Sequence, residues 1–103
     1  MFMRVHRQGN EVIVALCDAE LMGKVLKEGE VTLDLKKYGE FYKGEKVKAG
    51  AAGEKSVAKA LGEATSINAV GKKAVEAAGK ALEFPQTGAR LIGGVPHVQV
   101  YKV

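Results

Sequence analysis

The chain has 103 residues, 47% of them hydrophobic, a formal net charge of +4 and one cysteine. That suffices for one compact domain, residues 1–103, with a modest core, and it excludes global disorder. No apolar run approaches the ~20 residues that span a bilayer, a lone Cys17 excludes an internal disulfide and a multi-cysteine zinc site, and the interspersed acidic residues leave the positive charge permitting an anionic partner without requiring one.

Residues 2–8 alternate as a strand does, and Gln8-Gly9-Asn10-Glu11 offers a two-residue hairpin turn with Gly9 at the position that wants positive φ. The opening Met1–Arg7 lacks the apolar stretch of a secretory signal, so the expectation is a soluble cytoplasmic protein without membrane contact. Residues 12–17, Val-Ile-Val-Ala-Leu-Cys, form an unbroken apolar run rich in β-branched residues that predicts a central strand covered on both faces. Asp18 is placed to cap a short helical turn that Gly23 stops. Residues 31–35 alternate again and predict a third strand.

Residues 36–48 change character: three of the six aromatics, Tyr38, Phe41 and Tyr42, lie among five lysines. A small-residue linker at 49–53 leads to two one-sided helices. Over 54–65 the apolar stripe is Val57, Ala58, Leu61, Ala64 and Thr65; over 72–82 it is Ala74, Val75, Ala78, Ala81 and Leu82. Lys59 with Glu63, and Glu76 with Lys80, are spaced to pair on the exposed faces. Between the helices, Ser66 or Asn68 is suited to cap the second. A loop over 83–88 leads to Arg90-Leu91-Ile92. The chain then turns at Gly93-Gly94 into a final strand, where Pro96 fixes its own φ and holds Val95 extended. From there Val98 and Val100 face a core, with His97, Gln99 and Tyr101 on the opposite face. These elements predict a single α/β domain of the α+β type: a mainly antiparallel sheet with a two-helix layer packed on one face. The lysine-rich, proline-poor composition suits a thermophile.

Five short stretches appear in one order: Cys17-Asp18, Leu21-Met22-Gly23-Lys24, Phe41-Tyr42-x-Gly44, Asn68-x-x-Gly71 and Gly94-Val95-Pro96-His97-Val98-Gln99. The set resembles the archaeal family catalogued as "domain of unknown function 424" and spans nearly the whole chain. The closing Gly-Val-Pro-His-x-Gln is its most specific piece. The resemblance implies a small archaeal cytosolic protein, of a kind loosely labelled RNA-binding. It supplies no substrate, cofactor or catalytic residue. The linker at 49–53 departs from the usual pattern.

Three sets of residues can carry chemistry. Lys36, Lys37 and Lys43 with Phe41 and Tyr42 suit an unpaired nucleic-acid strand, lysines along the phosphates and rings on the bases. The same residues equally form a solvated edge with Phe41 and Tyr42 tucked into the core. Cys17, beside Asp18, makes a nucleophile only if the fold brings His97 to it as a base; otherwise Cys17 is a small buried residue. His6, His97, Cys17 and Asp18 lack the local spacing of a metal site. His97, Gln99 and Asn68 offer the donors and acceptors to read a base edge or a peptide backbone, or else satisfy one another. Gly50-x-x-Gly53 lacks the Lys-Ser/Thr of a phosphate loop. The expectation is a non-enzymatic module, without cofactor, that binds RNA or a ribonucleoprotein linked to translation. The alternatives are a small enzyme using Cys17 and His97, or a protein–protein adaptor docking through the C-terminal strand. An exposed strand edge also invites a homo-oligomer.

Overall fold

The turn at Gly9, with φ at +58°, folds β1 (Phe2–Gln8) back on β2 (Glu11–Cys17) in the hairpin expected. The computed structural model describes residues 1–48, 50–82 and 89–101. A 3-10 turn (Ala19–Leu21) follows, then a second hairpin of β3 (Val25–Glu28) and β4 (Val31–Asp34). Another 3-10 turn (Gly39–Phe41) and the short β5 (Glu45–Lys46) lead to α1 (Ala51–Glu63). The chain ends its described part with β6 (Ser66–Val70), α2 (Lys72–Leu82), β7 (Arg90–Ile92) and β8 (Val95–Tyr101).

Six strands join in one mixed sheet, ordered β5-β1-β2-β6-β8-β7. The apolar run at 12–17 is central because it pairs antiparallel with β1 and parallel with β6. The other pairings described in this sheet are antiparallel. Side-chain alternation then divides the core in two. Val14, Leu16, Ile67 and Ala69 face the helices and meet Val57, Leu61, Ala74, Val75 and Ala78. Ala15, Cys17 and Val70 face the other way and meet Leu21, Leu26, Leu35 and Tyr42. The expected two-helix layer is therefore present, and a second cover, the β3–β4 hairpin with the 3-10 segments, lies on the opposite face.

Several local expectations are corrected. Residues 66–71 are not a capping linker: 66–70 form a central strand, and neither Ser66 nor Asn68 caps α2. The cap is Asp18, 55 and 56 positions away, whose carboxylate accepts the backbone N–H groups of Lys73 (3.1 Å) and Ala74 (2.8 Å). Asp18 makes no side-chain cap on its own 3-10 turn. Gly71 makes room for this contact. Its φ is +106°, and a methyl there would lie 2.5 Å from the Asp18 carboxylate oxygen. The first helix begins at Ala51 rather than residue 54, and Val25–Glu28 adds a strand not foreseen. Ala58 and Thr65 are exposed, whereas Gly53 and Ala60 are buried, so the buried stripe is turned about the α1 axis from the one its periodicity suggested. Glu63 pairs with Arg7 and Lys80 with Glu54, across elements rather than along one helix. The loop at 83–88 lies outside the described residues.

Candidate functional site

On the face away from the helices, strand register lines up three rows of side chains. Phe2, Cys17, Val70 and His97 form one; Arg4, Ala15, Asn68 and Gln99 the next; His6, Ile13, Ser66 and Tyr101 the third. The β3–β4 hairpin covers the first row. The segment after β4 then returns over the sheet, with Gly44 pressed against β1, where a methyl would lie 2.6 Å from the Met3 carbonyl. That crossing sets Phe41 and Tyr42 above the second and third rows.

Asn68 is the centre of the arrangement. Its Oδ1 accepts two hydrogen bonds, from Tyr42 Oη (2.9 Å) and from His97 Nε2 (3.1 Å). With the Asn68 oxygen on this side, the neutral His97 tautomer that fits is the one protonated at Nε2. Burial, and then the Arg90 guanidinium on the neighbouring strand, lower the His97 pKa and favour this neutral form. Burial likewise raises the Tyr42 pKa and keeps its proton available for donation. No described group accepts from the Asn68 amide nitrogen, yet no described buried side-chain nitrogen or oxygen lacks a partner. The Nδ2 donors therefore open to the surface.

What they open into is a groove of about 370 Å³. Ile13, Ser66 and Asn68 contribute to its floor, with Phe41 on one side and Gln99 and Tyr101 on the other. Phe41 is steadied by stacking on His6, with ring centroids 4.4 Å apart and planes 14° from parallel. The His6 Nε2 also bonds the Phe41 carbonyl at 2.8 Å. Tyr101 is 73% exposed, so its ring face is available to solvent. A larger hollow, about 660 Å³, lies between the helices; among the described residues that line it there is no aromatic ring or carboxamide.

Two of the three residue sets thus become one. His97 and Asn68 meet through a hydrogen bond, Gln99 stands beside Asn68 across the strand pair, and Phe41 walls the same groove. Tyr42 takes the core alternative: at 3% exposure its ring cannot stack on a base, and it serves through its hydroxyl instead. Lys36, Lys37 and Lys43 are exposed on the segment that carries Phe41. The backbone N–H groups of Lys36 and Lys37 donate to Asp34 Oδ1, which fixes the start of the turn. Tyr101, which alternation groups with His97 and Gln99 on the outward face of the last strand, lines the same groove.

The Cys17–His97 pair does not form. The two residues flank Val70 in one row, two strand spacings or roughly 9–10 Å apart. Cys17 is fully buried, and burial, then the Asp18 charge, push its thiol up to about 12. That is a thiol without nucleophilic character at neutral pH. Among the described residues no three His, Cys, Asp or Glu side chains cluster as a metal site. Nor is any described helix long and apolar enough to cross a membrane.

The crystal structure of an uncharacterized conserved protein from Methanopyrus kandleri is similar throughout. It is 31% identical, with a TM-score of 0.80 over 97% of this chain and 89% of that one. No curated protein matches. The model of a family described as "protein of unknown function (DUF424)" matches residues 6–103, essentially the whole chain, and the chain belongs to that family.

Proposed function

We propose that this protein is a cytoplasmic RNA-binding module that takes an unpaired base of a folded RNA into the Asn68 groove. One observation carries the reading: an asparagine clamped at its oxygen by two donors, its amide nitrogen open to a groove with aromatic walls. Proteins read unpaired bases by stacking and by hydrogen bonds to exposed base edges, and the groove supplies both. Gln99 adds a second carboxamide beside Asn68. The lysines on the Phe41 segment and the net charge of +4 supply attraction to phosphate.

The test is a titration of fluorescent single strands and hairpins, at two salt concentrations, against wild type, Gln99→Ala and Tyr101→Ala. Both side chains are exposed, so neither change should disturb folding. Loss of base stacking at Tyr101 should weaken binding by roughly 5- to 100-fold. Binding that ignores both substitutions, or no binding at low salt, removes the proposal.

A further inference from the structure

The Asn68 groove has opposite charge at its two ends. Glu11 is the one charged residue among the described residues that line it, and it stands at the end where Val12 bonds Thr65. Towards the other end, past Asn68 and Gln99, comes the row that holds His97. The β7–β8 register sets Arg90 directly opposite His97, on the same face of the sheet and exposed. Arg90 is thereby a diagonal neighbour of Gln99, at a separation of roughly 7–8 Å that a long side chain bridges.

Arg90 is also the uncommitted arginine of the three in the chain. Arg4 pairs with Glu40 and Arg7 with Glu63, whereas Arg90 has no carboxylate partner among the described residues. Two acids of the hairpin packed against β7 are engaged elsewhere. Glu28 Oε1 accepts the Gly93 N–H, and Asp34 Oδ1 accepts the N–H groups of Lys36 and Lys37. The charge of Arg90 is felt at the His97 ring, where it adds to burial in favouring the neutral form. A neutral imidazole leaves that charge uncompensated.

We infer that Arg90 is the phosphate anchor of the groove: the nucleotide whose base lies beside Asn68 sets one of its two flanking phosphates on the Arg90 guanidinium. This rests on the base-binding reading above and names the residue that fixes how the strand lies. The sheet closes the floor, and Glu11 repels phosphate from its own end, so the backbone runs past Gln99 towards Arg90. A guanidinium suits the task because its planar fork meets two phosphate oxygens at once. The lysines of the Phe41 segment are point charges on flexible stems and add attraction without that geometry.

The experiment titrates the full chain with short fluorescent RNA strands that carry one adenine among abasic positions. In two further probes the phosphate preceding or following the adenine is replaced by a neutral methylphosphonate, and a last probe has no base. At about 0.1 M salt, wild type should bind one of the two neutral-linkage probes about fivefold more weakly than the intact probe. That is the counterion-release factor of one phosphate on a single strand. Arg90→Gln, at an exposed position, should lose the same factor on the intact probe and respond no further to the neutral linkage. Its salt slope should fall by about 0.7. Lys55→Gln removes an equal charge at the helix hollow and should keep the wild-type response. Wild type indifferent to both linkages, Arg90→Gln with wild-type affinity or linkage response, or the same loss in Lys55→Gln overturns the anchor. A baseless probe that binds as well as the adenine probe overturns the base-binding reading instead, and the anchor with it.

Discussion

Asp18→Ala tests how the two halves of the chain are tied together. Asp18 is 3% exposed, and its carboxylate holds the N–H groups of Lys73 and Ala74 at the start of α2. Loss of a helix cap costs about 0.5–2 kcal/mol. The Ala74 bond is buried, so its donor also loses a partner that water cannot replace, a further ~1–3 kcal/mol. These terms overlap with the favourable charge at the helix N-terminus, and the expected total is about 3 kcal/mol. For a domain of this size that corresponds to a fall in melting temperature of roughly 15 °C. Asp18→Asn keeps the shape and one acceptor oxygen and should lose about half as much. Gly71→Ala attacks the same contact from the other side, through a strained φ and a methyl driven into the carboxylate. Urea unfolding followed by circular dichroism measures each. An Asp18→Ala protein within about 0.5 kcal/mol of wild type would refute the reasoning.

Two further outcomes follow from buried groups. Alkylation of native Cys17, read by mass, should be far slower than in the unfolded chain; equal rates would contradict its burial and its raised pKa. The folded state lowers the His97 pKa below its ordinary 6.5, so the unfolded chain takes up that proton first as pH falls. The His97 contribution is complete above that value and declines as the pH drops towards the folded pKa. His97→Gln retains a donor but cannot titrate, so its urea midpoint should vary less than that of wild type between about pH 7.5 and pH 5.5. Parallel profiles would assign the pH dependence elsewhere.

Most of the architecture was legible from local pattern. The apolar run at 12–17, the Gly9 turn, both helices and the alternation from Val98 onward each express one period or one backbone requirement. What escaped depended on distant partners. Ser66-Ile67-Asn68-Ala69-Val70 carries two residues that favour caps, and only its place between β2 and β8 makes it a strand. Asp18 looks like a cap for the turn beside it, because no spacing in the sequence points to α2. His97, Gln99 and Asn68 could be grouped from their hydrogen-bonding capacity. The role of Tyr42 as a clamp on Asn68 could not, since a phenol among lysines reads as a ring before it reads as a hydroxyl.

The central claim is that Asn68 presents its amide nitrogen to a base. An NMR titration of the folded protein with a single-stranded RNA tests this most directly, through the side-chain amide signals of Asn68 and Gln99. The account predicts that both shift together, saturably, with the backbone signals of Phe41 and Tyr101. Shifts confined to the helix groove around Lys55 and Lys73, with the Asn68 amide unmoved, would contradict it.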